Sequence, residues 1–115
     1  MTIVEMQREA WKCAEEKGFH TGRGPTRDDS LIRLALIHTE VSEATQIVKR
    51  HGVDAADGSE HLKAIGEELA DVMIRLGDFA ECLGIELQYY VRKKIDANWQ
   101  RPHLYGTPAG KGPGC

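Results

Sequence analysis

The sequence predicts an all-α fold of four helices joined by short links, on three observations. Apolar residues recur at spacings of three and four along four separate stretches, glycine and proline fall between those stretches, and no segment alternates apolar with polar at the period of a strand. At 115 residues, 41% hydrophobic and 29% charged, the chain has the length and composition of one globular domain.

A first helix is predicted over residues 1–18. Thr2 is its N-cap, Ile3, Met6, Ala10, Trp11 and Ala14 give helical spacing, and Gly18 ends it. Residues 19–29, FHTGRGPTRDD, carry two glycines and a proline and read as a loop. Asp28, Asp29 or Ser30 is expected to cap a second helix that runs to His51 and stops at Gly52, followed by VDAADG as a connection. A third helix over residues 59–83 carries the stripe Leu62, Ile65, Leu69, Val72, Leu76, Phe79 and Leu83. Gly84 breaks it, and residues 85–100 form a fourth helix with Leu87, Tyr90, Val91, Ile95 and Trp99 available for packing, closed by Pro102. The helical domain is thus placed at residues 1–105, with a flexible Gly/Pro-rich tail at 106–115. Ala70, Met73, Ile74 and Ala80 widen the apolar surface of the third helix beyond what one short chain can cover. A homodimer or a dimer of dimers is expected, with helices two to four in the interface.

The formal net charge of −3 provides no global basic field for a nucleic acid polymer. A metal-bridged polyanion is compatible with it, because local charge decides that. No apolar run reaches the roughly 18 residues of a membrane span, and MTIVEMQREAWK lacks the layout of a signal peptide. Three widely spaced cysteines without a CxxC predict reduced thiols and a cytoplasmic protein.

Two pairs of acids carry the functional signal. Glu40 and Glu43 lie three apart, as do Glu68 and Asp71, so each pair directs both carboxylates to one helix face. At about 100° per residue, Glu40 and Glu43 fall inside the apolar arc formed by Leu36, Ile37, Val41, Ala44 and Ile47. Four carboxylates at the edge of a core repel one another and lose hydration. Protonation or a hard cation relieves that cost. Arg75 stands four residues after Asp71, where it either faces a phosphate or pairs with Asp71 or Asp78 on its own helix. Lys94 and Asn98 are four apart on the fourth helix, with Arg101 a further turn along. A cationic, amide-bearing face beside an acidic one suits a polyphosphate substrate.

EVSE (Glu40 to Glu43), EELAD (Glu67 to Asp71) and KIDANWQRP (Lys94 to Pro102) resemble the MazG-like, all-α nucleoside triphosphate pyrophosphohydrolases. EKGF (Glu16 to Phe19) ahead of LIRLALIHTEVSEA is similar to the short single-domain members, and the resemblance spans roughly residues 6–106. One ExxE or ExxD is commonplace on solvated helices; two in this order followed by KxxxNxxRP are not. The resemblance implies a MazG-like bundle and Mg²⁺, with Mn²⁺ as a substitute, on Glu40, Glu43, Glu68 and Asp71. It implies hydrolysis of nucleoside triphosphates, often deoxynucleotides, to monophosphate and pyrophosphate, and substrate contacts from Lys94 and Asn98. The family's fuller first motif is often EExxE, and here Thr39 stands in place of its first acid.

Glu43, or Glu40, is the expected general base for the attacking water, with Lys94 and Arg75 countering charge on the leaving pyrophosphate. Trp11, Phe19 and His38 are candidates for a pocket that stacks the base. His20, His51, His61 and His103 show no ligand spacing and receive no role. A carboxylate-bridged di-iron bundle needs Glu-x-x-His pairs, and no histidine here has Glu three residues before it. The alternative is a non-catalytic helical dimer that binds a partner or senses nucleotides, for which acids within an apolar arc have no use.

Overall fold

Helix boundaries follow from local capping chemistry. The computed structural model describes residues 1–20, 24–53 and 60–103. Those residues form four helices, α1 (Ile3–Glu16), α2 (Arg27–His51), α3 (Glu60–Cys82) and α4 (Leu87–Trp99), with no strand among them. At the start of α1 the Thr2 hydroxyl accepts from the Glu5 amide at 3.0 Å and the Glu5 carboxylate accepts from the Thr2 amide at 3.3 Å, a reciprocal capping box. At its end the Phe19 amide donates to the Ala14 carbonyl (2.9 Å) and Gly18, at φ +79°, donates to Glu15 (3.2 Å). This double closure needs a left-handed residue at position 18, which glycine supplies without a Cβ penalty. The same pattern ends α3 at Gly84, where the Ile85 amide reaches the Ala80 carbonyl at 2.9 Å.

The cap of α2 differs from the expectation of Asp28, Asp29 or Ser30. Thr26 is the N-cap, its hydroxyl accepting from the Asp29 amide at 3.0 Å. Starting the helix earlier places Asp28 and Asp29 in its first turn, where negative charge is favourable against the helix dipole. It also frees Asp29 to pair with Arg33 one turn on, at 2.9 Å. Helix α4 begins at Leu87 rather than Ile85, because Ile85 is used in closing α3. Its first amide donates to the Gln7 side chain of α1 at 3.0 Å. Gln7, 4% exposed, also donates to Glu81 (2.8 Å) and to the Ile85 carbonyl (2.6 Å), bolting α1 to the α3–α4 turn. The expected start of the third helix at Ser59, most of the VDAADG connection and the tail at 106–115 lie outside the described residues.

Helix α3 is the spine, flanked by α1 and α2, while α4 rests chiefly against α1. Small residues let these helices approach. Among the described residues Ala10, Ala44 and Ala80 are the buried apolar ones, and a Cβ on Gly77 would lie 2.8 Å from Met6 Sδ and 3.2 Å from the Gln7 Cα. The apolar stripe expected along the third helix divides between two sides. Ile65, Val72 and Phe79 are half-buried, whereas Leu62, Leu69, Leu76 and Leu83 are exposed, along with Met73 and Ile74. The two flanking helices sit to one side of α3 and leave the other side bare. No helix among the described residues is long and apolar enough to cross a membrane.

Substituting Gly77 by valine forces α1 away from α3 and is expected to cost about 1–3 kcal/mol. Gly66 on the same helix meets nothing within 4 Å, so Gly66→Ala should stabilise by about 1 kcal/mol through helix propensity alone. Urea denaturation midpoints moving in opposite directions for the two variants check this.

Candidate metal centre

The face that α2 turns toward α3 is Arg33, Ile37, Glu40, Ala44 and Ile47, all buried or half-buried, while Leu31, Leu34, Leu36 and Val41 are exposed. A carboxylate therefore occupies the seam and leucines lie outside it. Glu40 is 8% exposed. From α3, Glu68 and Asp71 project to the same place, and oxygens of Glu40, Glu68 and Asp71 lie within 4.8 Å of one another. Glu43, one turn beyond Glu40, reaches both Glu40 and Glu68 closely enough to shift their ionisation. Three of the four acids read from the sequence, Glu40, Glu68 and Asp71, thus converge between two helices, with Glu43 exposed beside them.

Neutralisation of this cluster is incomplete. Arg75 Nε donates to Glu40 Oε1 at 2.9 Å, a bond between helices in place of the expected pairing with Asp71 or Asp78 on its own helix. Burial disfavours ionised Glu40, but the Arg75 guanidinium, with bonds shared with Glu68 and Glu43, outweighs burial and holds the carboxyl below its ordinary value. Glu68 has no such cation. Its bonds with Glu40 and Glu43, followed by burial and the charges of the same two acids, push it up to about 7. Its Oε2 is shielded from solvent and has no hydrogen-bond partner. A carboxyl group with one buried, partnerless oxygen, beside two other carboxylates, fits a hard divalent cation bound by oxygen. The residues that could hold such an ion are Glu40, Glu68 and the exposed Asp71, with Glu43 alongside. Thr39 turns its hydroxyl back to the Ala35 carbonyl at 3.1 Å and remains on the exposed side of α2.

The other expected contacts are not drawn together within one chain. Lys94 and Asn98 are exposed on α4, which packs on α1 rather than on the α2–α3 seam. Trp11, Phe19 and His38 share no ring contact. Trp11 lies tilted against His20 at 5.3 Å between centroids, Phe19 is 76% exposed and His38 is exposed. A stacking pocket built from those three is therefore not formed in the single chain, because Trp11 faces α3 and His38 points away from the seam's buried face.

A second polar cluster went unassigned in the sequence. His20, Asp78 and Cys82 place one ligand-type atom each within 4.8 Å of one another. Arg33 donates to Asp78 at 3.0 Å, so Asp78 pairs with α2 and the loop rather than with Arg75. The spacing of Asp78 and Cys82, four apart on one helix, was a usable signal. His20, contributed from the loop after α1, was not.

With Glu68 titrating near 7 against an ordinary value of 4.5, the native state holds a proton between those limits that the unfolded chain has lost. Stability of the metal-free protein should therefore fall as pH rises from 4.5 to about 7. Thermal melts in EDTA across that range should show the fall, and Glu68→Gln should flatten it. No family model, no curated protein and no solved structure matches the chain.

Proposed function

We propose that the chain is a Mg²⁺-dependent hydrolase of nucleoside or deoxynucleoside triphosphates, of the MazG-like kind, releasing monophosphate and pyrophosphate and serving nucleotide-pool clearance. The observation that carries the reading is the convergence of oxygens of Glu40, Glu68 and Asp71 within 4.8 Å, together with a solvent-shielded Glu68 Oε2 that has no hydrogen-bond partner among the described residues. Mg²⁺, or Mn²⁺ in its place, would supply charge to grip the triphosphate and lower the pKa of a water.

The chain's own groups divide the remaining work. Glu40 is tied to Arg75 and kept ionised, which suits a ligand; Glu43, with no ion pair of its own among the described contacts, suits the base. Glu43 takes a proton from water as its oxygen bonds to the α-phosphorus, and the bond from that phosphorus to the oxygen bridging to the β-phosphate breaks. Arg75 and Lys94 counter the charge on the departing pyrophosphate, and Asn98 holds sugar or phosphate by hydrogen bonds. Trp11, Phe19 and His38 remain the candidates for the base side.

The reading includes self-association as a dimer or dimer of dimers. Three alanines make up the buried apolar core, no side chain among the described residues is fully buried, and leucines and aromatics of α2, α3 and α4 are exposed. The radius of gyration is 17.3 Å, against about 13 Å for a compact chain of this length. A second copy covers this surface, and brings a fourth helix with Lys94 and Asn98 toward the acids that their own chain holds apart from them.

Pyrophosphate release from a panel of NTPs and dNTPs, with Mg²⁺ and with EDTA, tests the activity. Wild-type turnover should require the metal, and Glu43→Gln should lower kcat by about 10²-fold or more with an unchanged helical circular dichroism spectrum. A wild-type chain that binds triphosphates without cleaving any would favour a nucleotide-sensing helical dimer instead. Sedimentation velocity should give two or four times the chain mass of 12.8 kDa; a monomer would remove the assembly from the reading.

A further inference from the structure

Away from the carboxylate cluster, α1, α2 and α3 enclose a second polar site with different chemistry. Asp78 and Cys82 stand one turn apart on one face of α3, and the cap that ends α1 at Gly18 directs His20 onto them. Cys82 Sγ lies 3.8 Å from His20 Nε2 and 3.8 Å from Asp78 Oδ1, and Nε2 lies 2.7 Å from Oδ1. The His20 side chain is 9% exposed. We propose that His20 Nε2, Asp78 Oδ1 and Cys82 Sγ bind a zinc ion, as a site separate from the oxygen-ligand cluster and independent of the reading given for that cluster.

The ligand set selects the metal. One nitrogen, one oxygen and one sulfur suit zinc, whereas Mg²⁺ takes oxygen alone. Tetrahedral zinc, with Zn–N about 2.0 Å and Zn–S about 2.3 Å, sets N···S near 3.5 Å and N···O near 3.3 Å. Both sulfur separations are already close to that. Only the Nε2 to Oδ1 separation must widen, by roughly 0.6 Å on the same bond lengths, within the reach of a carboxylate rotation. The fourth position is left to water.

The surrounding groups hold the ligands as a metal site requires. Glu15 bonds to His20 Nδ1, the carboxylate–histidine arrangement that fixes a ring with Nε2 toward a metal. Arg33 holds the second oxygen of Asp78 at 3.0 Å and is itself anchored by Asp29 at 2.9 Å. Trp11 covers the imidazole at 5.3 Å. Both ring nitrogens face carboxylates, an arrangement that suits a proton on each, and burial favours the thiol form of Cys82. Zinc replaces the proton on Nε2 and the proton on sulfur, so two protons leave, two positive charges arrive, and the net charge of the buried group does not change. The metal would pin the segment after α1 to α3.

Cobalt(II) chloride titrated into the reduced full-length chain, in excess Mg²⁺ to occupy the carboxylates, tests the site. Wild type should develop one equivalent of a thiolate-to-cobalt charge-transfer band in the near ultraviolet, displaced by zinc. His20→Ala and Cys82→Ser should lose the band, and Glu68→Gln should keep it. No band in wild type overturns the proposal, as does a band surviving Cys82→Ser, since Cys13 or Cys115 would then supply the sulfur. Independently of whether those variants fold, one equivalent of zinc should protect Cys82 of the wild type from alkylation, mapped by peptide mass spectrometry, and leave exposed Cys13 reactive. Equal alkylation of Cys82 with and without zinc also overturns it.

Discussion

Glu40 in the seam between α2 and α3 forces the arrangement of everything near it. Its carboxylate is satisfied on one side by Arg75, and the space on the other side is taken by Glu68, which finds acids where it needs donors. Apolar residues at these positions would have closed the seam with less electrostatic cost. Instead the chain carries leucines on the outside of α2 and a carboxylate within, an inversion that stability alone does not explain. Departures from ordinary burial of this kind are found at functional sites and in structural ion-pair networks alike.

Helix α3 solves a similar problem differently about three turns beyond Glu68. Asp78 lies in a comparable position between helices, yet it receives the Arg33 guanidinium and the His20 imidazole. His20, facing Glu15 and Asp78, is pushed up from its ordinary value although burial works against the charged ring. One site is thus supplied with cations by the protein and the other is left short of them. The difference is one of charge balance: Asp78 meets an imidazole and a guanidinium, whereas Glu40 and Glu68 have one guanidinium, on Glu40, between them.

Spine and flanks account for the rest of the architecture. Gly77 and the three buried alanines allow close helix approach, Gln7 substitutes for the side-chain cap that Glu86 does not provide, and α4 follows α1 away from the acids. Close packing through small residues brings backbones together but buries little apolar area. Many of the large apolar side chains of α2, α3 and α4 are left on outer faces.

Local chemistry made much of this legible in advance. Thr2, Gly18, Gly52 and Gly84 act within a few residues of themselves, and the helices they bound follow from spacing and caps. The approach of Glu40 to Glu68 and Asp71 was legible too, because ExxE and ExxD each fix a face and the apolar arc orients it. Helix crossing decided what spacing could not. Arg75 chose Glu40, 35 residues away, over acids on its own helix, and His20 met Cys82 across 62 residues. The α2 cap moved to Thr26 because a hydroxyl three residues before Asp29 competes on equal local terms with the acids after it. Periodicity states which residues share a face; only the packed helices state what that face meets, since a side-chain pairing depends on the axial offset and rotation of two elements, which neither element's sequence contains.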